Sequence, residues 1–464
     1  MDQTRKTEHV GLARVLGPAH VWALGVGIVL VGEYMGWNFA VGKGGAYAAL
    51  MACWFAGILY TCVAMIDSEV TSTVAAAGGQ YTQAKHIVGP LMAFNVGLYL
   101  VFAYTMLEAA NAITVGFLVD TVARMGGHAG GIDQRPFIIL SILFLAWLNY
   151  RGVLATLTFN LVITAIAFSA IIVLFLATAG LPGASPLRHA ELMAGAAALP
   201  YGWLGILAAM HFGLWFYLGI EGTTQAAEEV RSPARALPFG TLAGVMTLAI
   251  AATLTWYVCT GLMPWEYLGQ AGVPLFDAAR LSGSGLLMAF LGIGTLFATL
   301  ASANGCINDA SRAWFAMARD RYLPGWFGAV HPRYRTPYRS IIFLVPIALV
   351  FALGAPIDQV ITFSILSGLL EYTFMPLNII LFRRKWPLDT IRRGYEHPFH
   401  PLPALVLLAL CGTAFLAVFL GYGTQLVAMI AFYIVVSLWF HFWRYRFVDR
   451  GAQFTMPWPK PRGY

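Results

Sequence analysis

The sequence predicts an all-α integral membrane protein with twelve transmembrane helices, and three observations carry that prediction. Hydrophobic residues fill 59% of the 464 positions and charged residues only 11%, against roughly 45–50% and about 25% in soluble domains. Apolar runs of about the twenty residues that a bilayer core demands recur along the whole chain. The basic residues fall between those runs rather than along one helix face. A net charge of +7 therefore reads as membrane topology and excludes a nucleic-acid partner.

The apolar runs lie near 18–41, 45–70, 88–122, 134–150, 155–181, 200–229, 238–263, 284–316, 338–354, 357–382, 402–421 and 425–444. Those longer than one crossing must tilt or project from the bilayer. With the N-terminus in the cytoplasm, 23 of the 28 lysines and arginines fall inside. Only Lys43, Arg124, Arg135, Arg188 and Arg280 fall outside. This bias places both termini in the cytoplasm of a multi-pass protein of the inner or plasma membrane. Losing one helix from the middle of the count reverses every later loop, so the bias also supports twelve. Met1–Pro18 is polar and basic, without the apolar region of a cleavable signal. Cys53, Cys62, Cys259, Cys306 and Cys411 sit singly in apolar surroundings, without metal-ligand spacing, as small buried hydrophobes do.

Two runs depart from plain apolar helix. The first reads Gly25-Val-Gly-Ile-Val-Leu-Val-Gly32-Glu33-Tyr34-Met-Gly36, and the sixth reads Phe212-Gly-Leu-Trp215-Phe-Tyr-Leu-Gly219-Ile-Glu221-Gly222. Each places glycines and one glutamate near mid-membrane, and each would open a five-helix repeat. The expected division is a cytoplasmic segment 1–17, repeats 18–181 and 182–382, helices eleven and twelve within 383–446, and a cytoplasmic tail 447–464. Irregular backbone at membrane depth survives only where protein or a water-filled cavity satisfies it. Interrupted helices in corresponding positions of two repeats commonly build transporter sites. Gly32 and Gly219 have two readings: points of interruption, or close helix packing.

Glu33 and Glu221 favour interruption. A charge at the bilayer centre costs about 2.5–3.5 kcal/mol on insertion scales and usually lines a pathway or finds a partner. No lysine or arginine is predicted at their depth, which leaves a proton or a cationic solute as countercharge. Glu108, in Tyr104-Thr-Met-Leu-Glu108-Ala-Ala-Asn111, and Glu371 are further buried carboxylates. Each reads either as part of that pathway or as a protonated group bonded to a neighbouring helix. Asp67, Glu69, Glu228 and Glu229 fall at cytoplasmic helix ends, where gate or loop pairing is expected. His211 is expected to hydrogen-bond within the bundle. Trp215 and Phe216 adjoin the sixth-run break, as packing or as gate.

Several stretches together resemble the amino acid–polyamine–organocation (APC) superfamily. They are Phe216-Tyr-Leu-Gly-Ile-Glu-Gly222 continuing to Pro238, Ser68-Glu-Val through Ala77-Gly-Gly-Gln-Tyr81, Asn308-Asp-Ala-Ser-Arg312 through Leu323-Pro324, and His331-Pro-Arg-Tyr-Arg-Thr-Pro337. Their order and spacing cover nearly the whole chain. The resemblance implies a LeuT-like core of five-plus-five helices in an inverted repeat, with two extra C-terminal helices. It also implies alternating access around a site between helices one, three, six, eight and ten. In relatives an aromatic at the position of Trp215 closes over the cargo, and the acid at Glu221 takes part in gating or proton sensing. One departure is informative. Amino acid carriers of this group have a Gly-x-Gly run in helix one whose amides hold the substrate carboxylate. Here the matching stretch is Leu30-Val31-Gly32-Glu33-Tyr34, and Glu33 would repel a carboxylate and attract an ammonium group. Gly32-Glu-Tyr-Met-Gly-Trp-Asn38 and Leu218-Gly-Ile-Glu-Gly222 look most like the ethanolamine permease branch.

The expectation is a secondary active transporter that imports a small organic amine of the ethanolamine kind. The cargo contacts are Val31, Gly32, Glu33, Tyr104, Glu108, Trp215, Phe216, Gly219 and Glu221, with Glu221, Trp215 and Glu371 in coupling or gating. An amino acid or polyamine permease or exchanger of the same fold stands as the alternative. A membrane-embedded enzyme would need clustered His, Asp or Cys residues, and the sequence offers none. No catalytic residue, metal ligand or cofactor is expected beyond a coupling ion, H+ or Na+. Helix five carries no lysine to serve as a fixed cation, and Thr299 and Ser302 are the candidate sodium ligands. The partners are the cargo, a cationic amine or amino acid, and the lipid bilayer; oligomeric state stays open.

Overall fold

A computed structural model of the chain describes residues 14–75, 78–128, 130–179, 199–389, 391 and 393–448. Residues 1–13 of the expected segment 1–17, residues 449–464 of the expected tail 447–464, the repeat boundary at 181/182, Arg188 and Ala77 lie outside the described residues. Among them, nine helices are long and apolar enough to cross a membrane. Arg135–Arg151 and Tyr338–Gly354 add two shorter crossings of 17 residues each, about 25 Å at 1.5 Å per residue. The long helical run Leu402–Phe447 is bent at Tyr422 (φ −142°, ψ 42°) and counts twice. Twelve crossings result.

In chain order the crossings are Pro18–Gly44 (interrupted), Ala46–Thr73, Pro90–Met125, Arg135–Arg151, Val153–Thr178 and an irregular sixth opening with Leu204–Gly213. Pro233–Leu262, Gly285–Arg319, Tyr338–Gly354, Ile357–Lys385 and the two limbs of the bent run follow. Proline occupies the first turn of the first, third and seventh crossings, where its missing N–H is no loss. Gly45, at φ +86°, turns the chain between the first two. Short helices Gly79–Ile87, Trp265–Leu268 and Pro274–Leu281 link other crossings.

The first crossing packs against the fifth, seventh and eighth, the sixth packs against the second, and most of their side chains are buried. The limbs of the bent run are more exposed, with Leu405, Leu416, Leu420, Val427 and Val435 open to surrounding lipid. A crossing ringed by protein is free to carry polar groups; one facing lipid is not. The bundle centre is therefore where a polar site must lie.

Candidate transport site

The sixth crossing is truly broken. Its α-helix ends at Gly213, and 3₁₀ turns cover Leu214–Phe216, Ile220–Thr224 and Ala227–Glu229. This agrees with the interruption expected within the run 200–229. Between the turns Tyr217 leaves helical angles (φ −139°, ψ −9°) and Gly219 takes φ +108°, a conformation open mainly to glycine. The Gly219 amide donates to Glu221 Oε2 at 3.2 Å, so the glutamate caps the turn on which it sits.

The first crossing is loosened rather than unwound. Its interruptions fall at Leu30 and Gly36, and both keep right-handed helical angles. Glu33 N reaches back only to Leu30 O (3.2 Å), and Gly36 N donates to Gly32 O (2.7 Å). Gly32 therefore lies inside the short helix Val31–Met35, and its carbonyl is occupied. What Gly32 permits is contact: a Cβ there would sit 2.8 Å from the Trp215 carbonyl oxygen. A Cβ on Gly219 would collide with Ile28. Of the two readings, close packing describes Gly32, and both describe Gly219.

At that crossing Glu33 is fully buried, and neither carboxylate oxygen has a hydrogen-bond partner among the described residues. Its charge bears on Cys53 and Tyr217, whose Sγ and hydroxyl lie 3.7 Å apart. Val31 is buried beside it. The Phe216 ring lies 4.2 Å from that of Trp37. Trp215 is buried with its Nε1–H unpartnered and its ring 6.0 Å from Phe39. Glu108 is also buried with Oε1 unpartnered, its charge bearing on Cys306 of the eighth crossing. One turn on, Asn111 donates to Ser302 Oγ (2.7 Å), which donates in turn to the Ile28 carbonyl. Thr299 bonds within its own helix, to Thr295 O at 2.7 Å.

The structure brings Tyr104 to Glu221 rather than to Glu33. Glu221 Oε1 accepts from Tyr372 (2.8 Å) and Tyr104 (3.3 Å), and Tyr60 donates to Tyr372 (3.2 Å). Glu371 is fully buried with neither oxygen partnered. Asp309 packs against Gly222 with Oδ2 unpartnered. Sequence reasoning passed over Tyr60, Tyr372, Gln80 and Asp309. The one local signal was Tyr372, next to an intramembrane acid. Among the described residues no ion pair reaches Glu33, Glu108, Glu221, Glu371, Asp67 or Asp309.

The helix-end acids do pair as expected. Glu69, fully buried, is held by Arg383 (2.6 Å), Arg393 (2.7 Å) and His397 Nδ1 (2.6 Å). Glu229 meets Arg312 at 2.7 Å and Glu228 meets Arg319 at 3.3 Å. Burial pushes the Glu229 carboxyl above its usual range, with Arg312 opposing. Asp67 accepts from Gln83 (2.5 Å), Gln80 (2.6 Å) and Thr71 (3.2 Å) rather than from a cation. Lys85 pairs with Asp320 at 2.6 Å, and Leu16 bridges to Val230. All these contacts lie on the face where the described chain begins, and they seal it. On the opposite face a cavity of about 220 Å³ is lined by Met35, Asn38, Phe39, Asp120 and Ile357 among others. Met35 is two residues from Glu33. His211 bonds Thr362 (3.1 Å) and stacks on Tyr422, and all five cysteines are buried and free.

A twelve-crossing bundle closed around a broken helix and unneutralised acids is built as a membrane transport protein. The sequence profile of amino acid permeases matches residues 19–451. An uncharacterized transporter of Rhizobium meliloti (strain 1021) is 76% identical over the full length of both chains. The methylthioribose transporter of Bacillus subtilis (strain 168) is 25% identical over 86% of this chain and 87% of its own. The branched-chain amino acid permease BcaP of the same organism is 23% identical over 89% and 87%. The chain belongs to the amino acid permease family, with its LeuT-like five-plus-five fold and two added helices, and it is a transporter rather than an enzyme.

Proposed function

We propose that this transporter imports a small organic amine, ethanolamine-like in size and charge, by alternating access. The observation that carries the reading is Glu33, buried beside the crossing of the two irregular spans with both oxygens unpartnered. An uncompensated carboxylate in such a place is costly unless it is protonated or meets a cation. The ammonium of the cargo meets Glu33, with Glu108 contributing from the third crossing. Trp215 and Phe216 cover the cargo by cation–π contact and shape. Val31, Gly32 and Gly219 shape the pocket by close backbone approach, and Tyr104 reaches the cargo side through Glu221. Glu221 couples proton binding to the broken turn that it caps, while Glu371 and Trp215 take part in gating. The termini face the cytoplasm, the repeats run over 18–181 and 182–382, and the sealed face is the inner one. Protons drive uptake; the alternative, sodium held by Ser302 with the Ile28 carbonyl, has weaker support because Ser302 is already bonded there.

A second reading, an amino acid permease, is favoured by the name of the branched-chain amino acid permease of B. subtilis. The two differ in what Glu33 does to a substrate carboxylate. Counterflow in proteoliposomes with labelled ethanolamine, putrescine, lysine and leucine separates them. Exchange of ethanolamine that weakens in Glu33→Gln supports the amine reading. A wild-type preference for leucine, or unchanged amine exchange in the variant, overturns it.

A further inference from the structure

A second group of acids lies apart from Glu33. Glu371 and Tyr372 are consecutive on the tenth crossing, and the Tyr372 hydroxyl donates to Glu221 Oε1 at 2.8 Å. Glu371 itself is fully buried, with neither oxygen hydrogen-bonded among the described residues. The charges of Glu221 and Asp67 both bear on it. Gln80 ties two of the three together: its Nε2 donates to Asp67 Oδ2 at 2.6 Å and lies 3.4 Å from the Glu221 carbonyl oxygen. Gln225 donates to Gln80 Oε1, Gln83 to Asp67, and Asn378 to Gln83 Oε1. The result is a continuous polar thread from mid-membrane to the sealed face.

Three carboxylates cannot all be ionised in a buried site without a cation, because each disfavours the charge of the others. The groups facing them offer no cation. Among the described residues they include Tyr60 on the second crossing, Tyr104 on the third, and Asp309 and Cys306 on the eighth. Arg312, whose charge bears on Asp309, is engaged by Glu229 at 2.7 Å. Protons are then the available countercharge. Glu221 also links occupancy to shape, since its Oε2 holds the Gly219 amide of the broken turn. Protonation weakens that acceptor and frees the turn.

We propose that Glu221, Glu371 and Asp67 form a proton-binding centre, separate from the cargo contact at Glu33, that communicates with the sealed face through Gln80 and Gln83. The inference rests on the reading of the protein as a coupled carrier. A proton loads onto the Glu221–Glu371 pair, relaxes the Gly219 turn, and leaves by Asp67 when the sealed face opens. The cargo is chemically unchanged.

The test uses the full chain in proteoliposomes with two probes, labelled ethanolamine and labelled leucine, and an internal pH dye. For whichever probe the wild type carries, an imposed pH gradient of one unit is expected to raise accumulation by about tenfold, with matching proton entry. In Asp67→Asn, accumulation is expected to fall to the equilibrium level and cargo-driven proton flux to vanish, while counterflow stays within about twofold; in Glu371→Gln, gradient-driven accumulation and cargo-driven proton flux are expected to vanish as well. Tyr372→Phe, which keeps the ring and removes the hydroxyl, is expected to slow proton flux by about tenfold without changing counterflow. A purely structural role would depress counterflow and proton flux together. Either variant keeping gradient-driven accumulation overturns the centre, as does a wild type whose uptake moves no protons. Carriage of leucine but not ethanolamine overturns the amine reading alone, and the proton centre is then judged on leucine.

Discussion

Glu33 and Gly219 are the residues on which transport turns, and their chemistry makes distinct demands. Replacing Glu33 with Gln removes the charge but keeps the shape. The apparent affinity for a cationic cargo is expected to fall by more than about tenfold, equivalent to about 1.4 kcal/mol, as read by counterflow competition. Gly219 is held at φ +108° with Ile28 against it. An alanine there meets both a conformational cost of about 1–2 kcal/mol and a collision. Gly219→Ala is expected to lower the melting temperature in detergent and to abolish transport. At Gly32 only space is short, with the Trp215 carbonyl 2.8 Å from an added Cβ. Gly32→Ala should insert and fold yet lose transport, and normal transport in that variant would refute the crossing as a close packing point.

At the scale of elements, the sealed face is a set of clasps between crossings and loops. Glu69 ends the second crossing and grips Arg383 of the tenth, together with Arg393 and His397 of the segment that follows. Removing one member of such a buried group leaves the others uncompensated, typically at about 3–5 kcal/mol. Glu69→Gln is expected to open that face. In a background without the native cysteines, a reporter at Thr73→Cys should react several-fold faster with a polar maleimide, and an unchanged rate would rule out the clasp. Element boundaries carry a related lesson. The third crossing, expected over 88–122, forms as Pro90–Met125. The sixth, expected over 200–229 with an interruption near Gly219, gives up its α-helix already at Gly213. Periodicity and apolar length predict where a helix is affordable, but the Gly219 turn depends on the Glu221 cap and on Ile28 behind it, both of which are tertiary facts.

At the scale of the whole molecule, alternation of faces makes the topology testable. Lys43 follows the first crossing and Arg231 follows the sixth, so Lys43→Cys and Arg231→Cys are expected to label from opposite sides of a sealed vesicle. Labelling of both from one side would contradict the twelve-crossing order. A bound cargo should also stabilise the closed bundle, by about 2.7 kcal/mol at a hundred times its Kd. A shift of the melting temperature with ethanolamine, lost in Glu33→Gln, checks the site independently of transport.

Read alone, the sequence settled the solvent of this protein and the number of its crossings. Those properties depend on apolar length and on the cost of burying charge, which are local and additive along the chain. It also placed Glu33 and Glu221 together as one kind of residue. The tertiary structure separated them: Glu33 lies without a hydrogen-bond partner among the described residues, while Glu221 is held by Tyr104, Tyr372 and the Gly219 amide. It also decided that the first crossing is loosened and the sixth broken, although both carry similar glycines and a glutamate. Partnership between side chains far apart in sequence is set by packing. No spacing rule within one helix states which hydroxyl will reach which carboxylate.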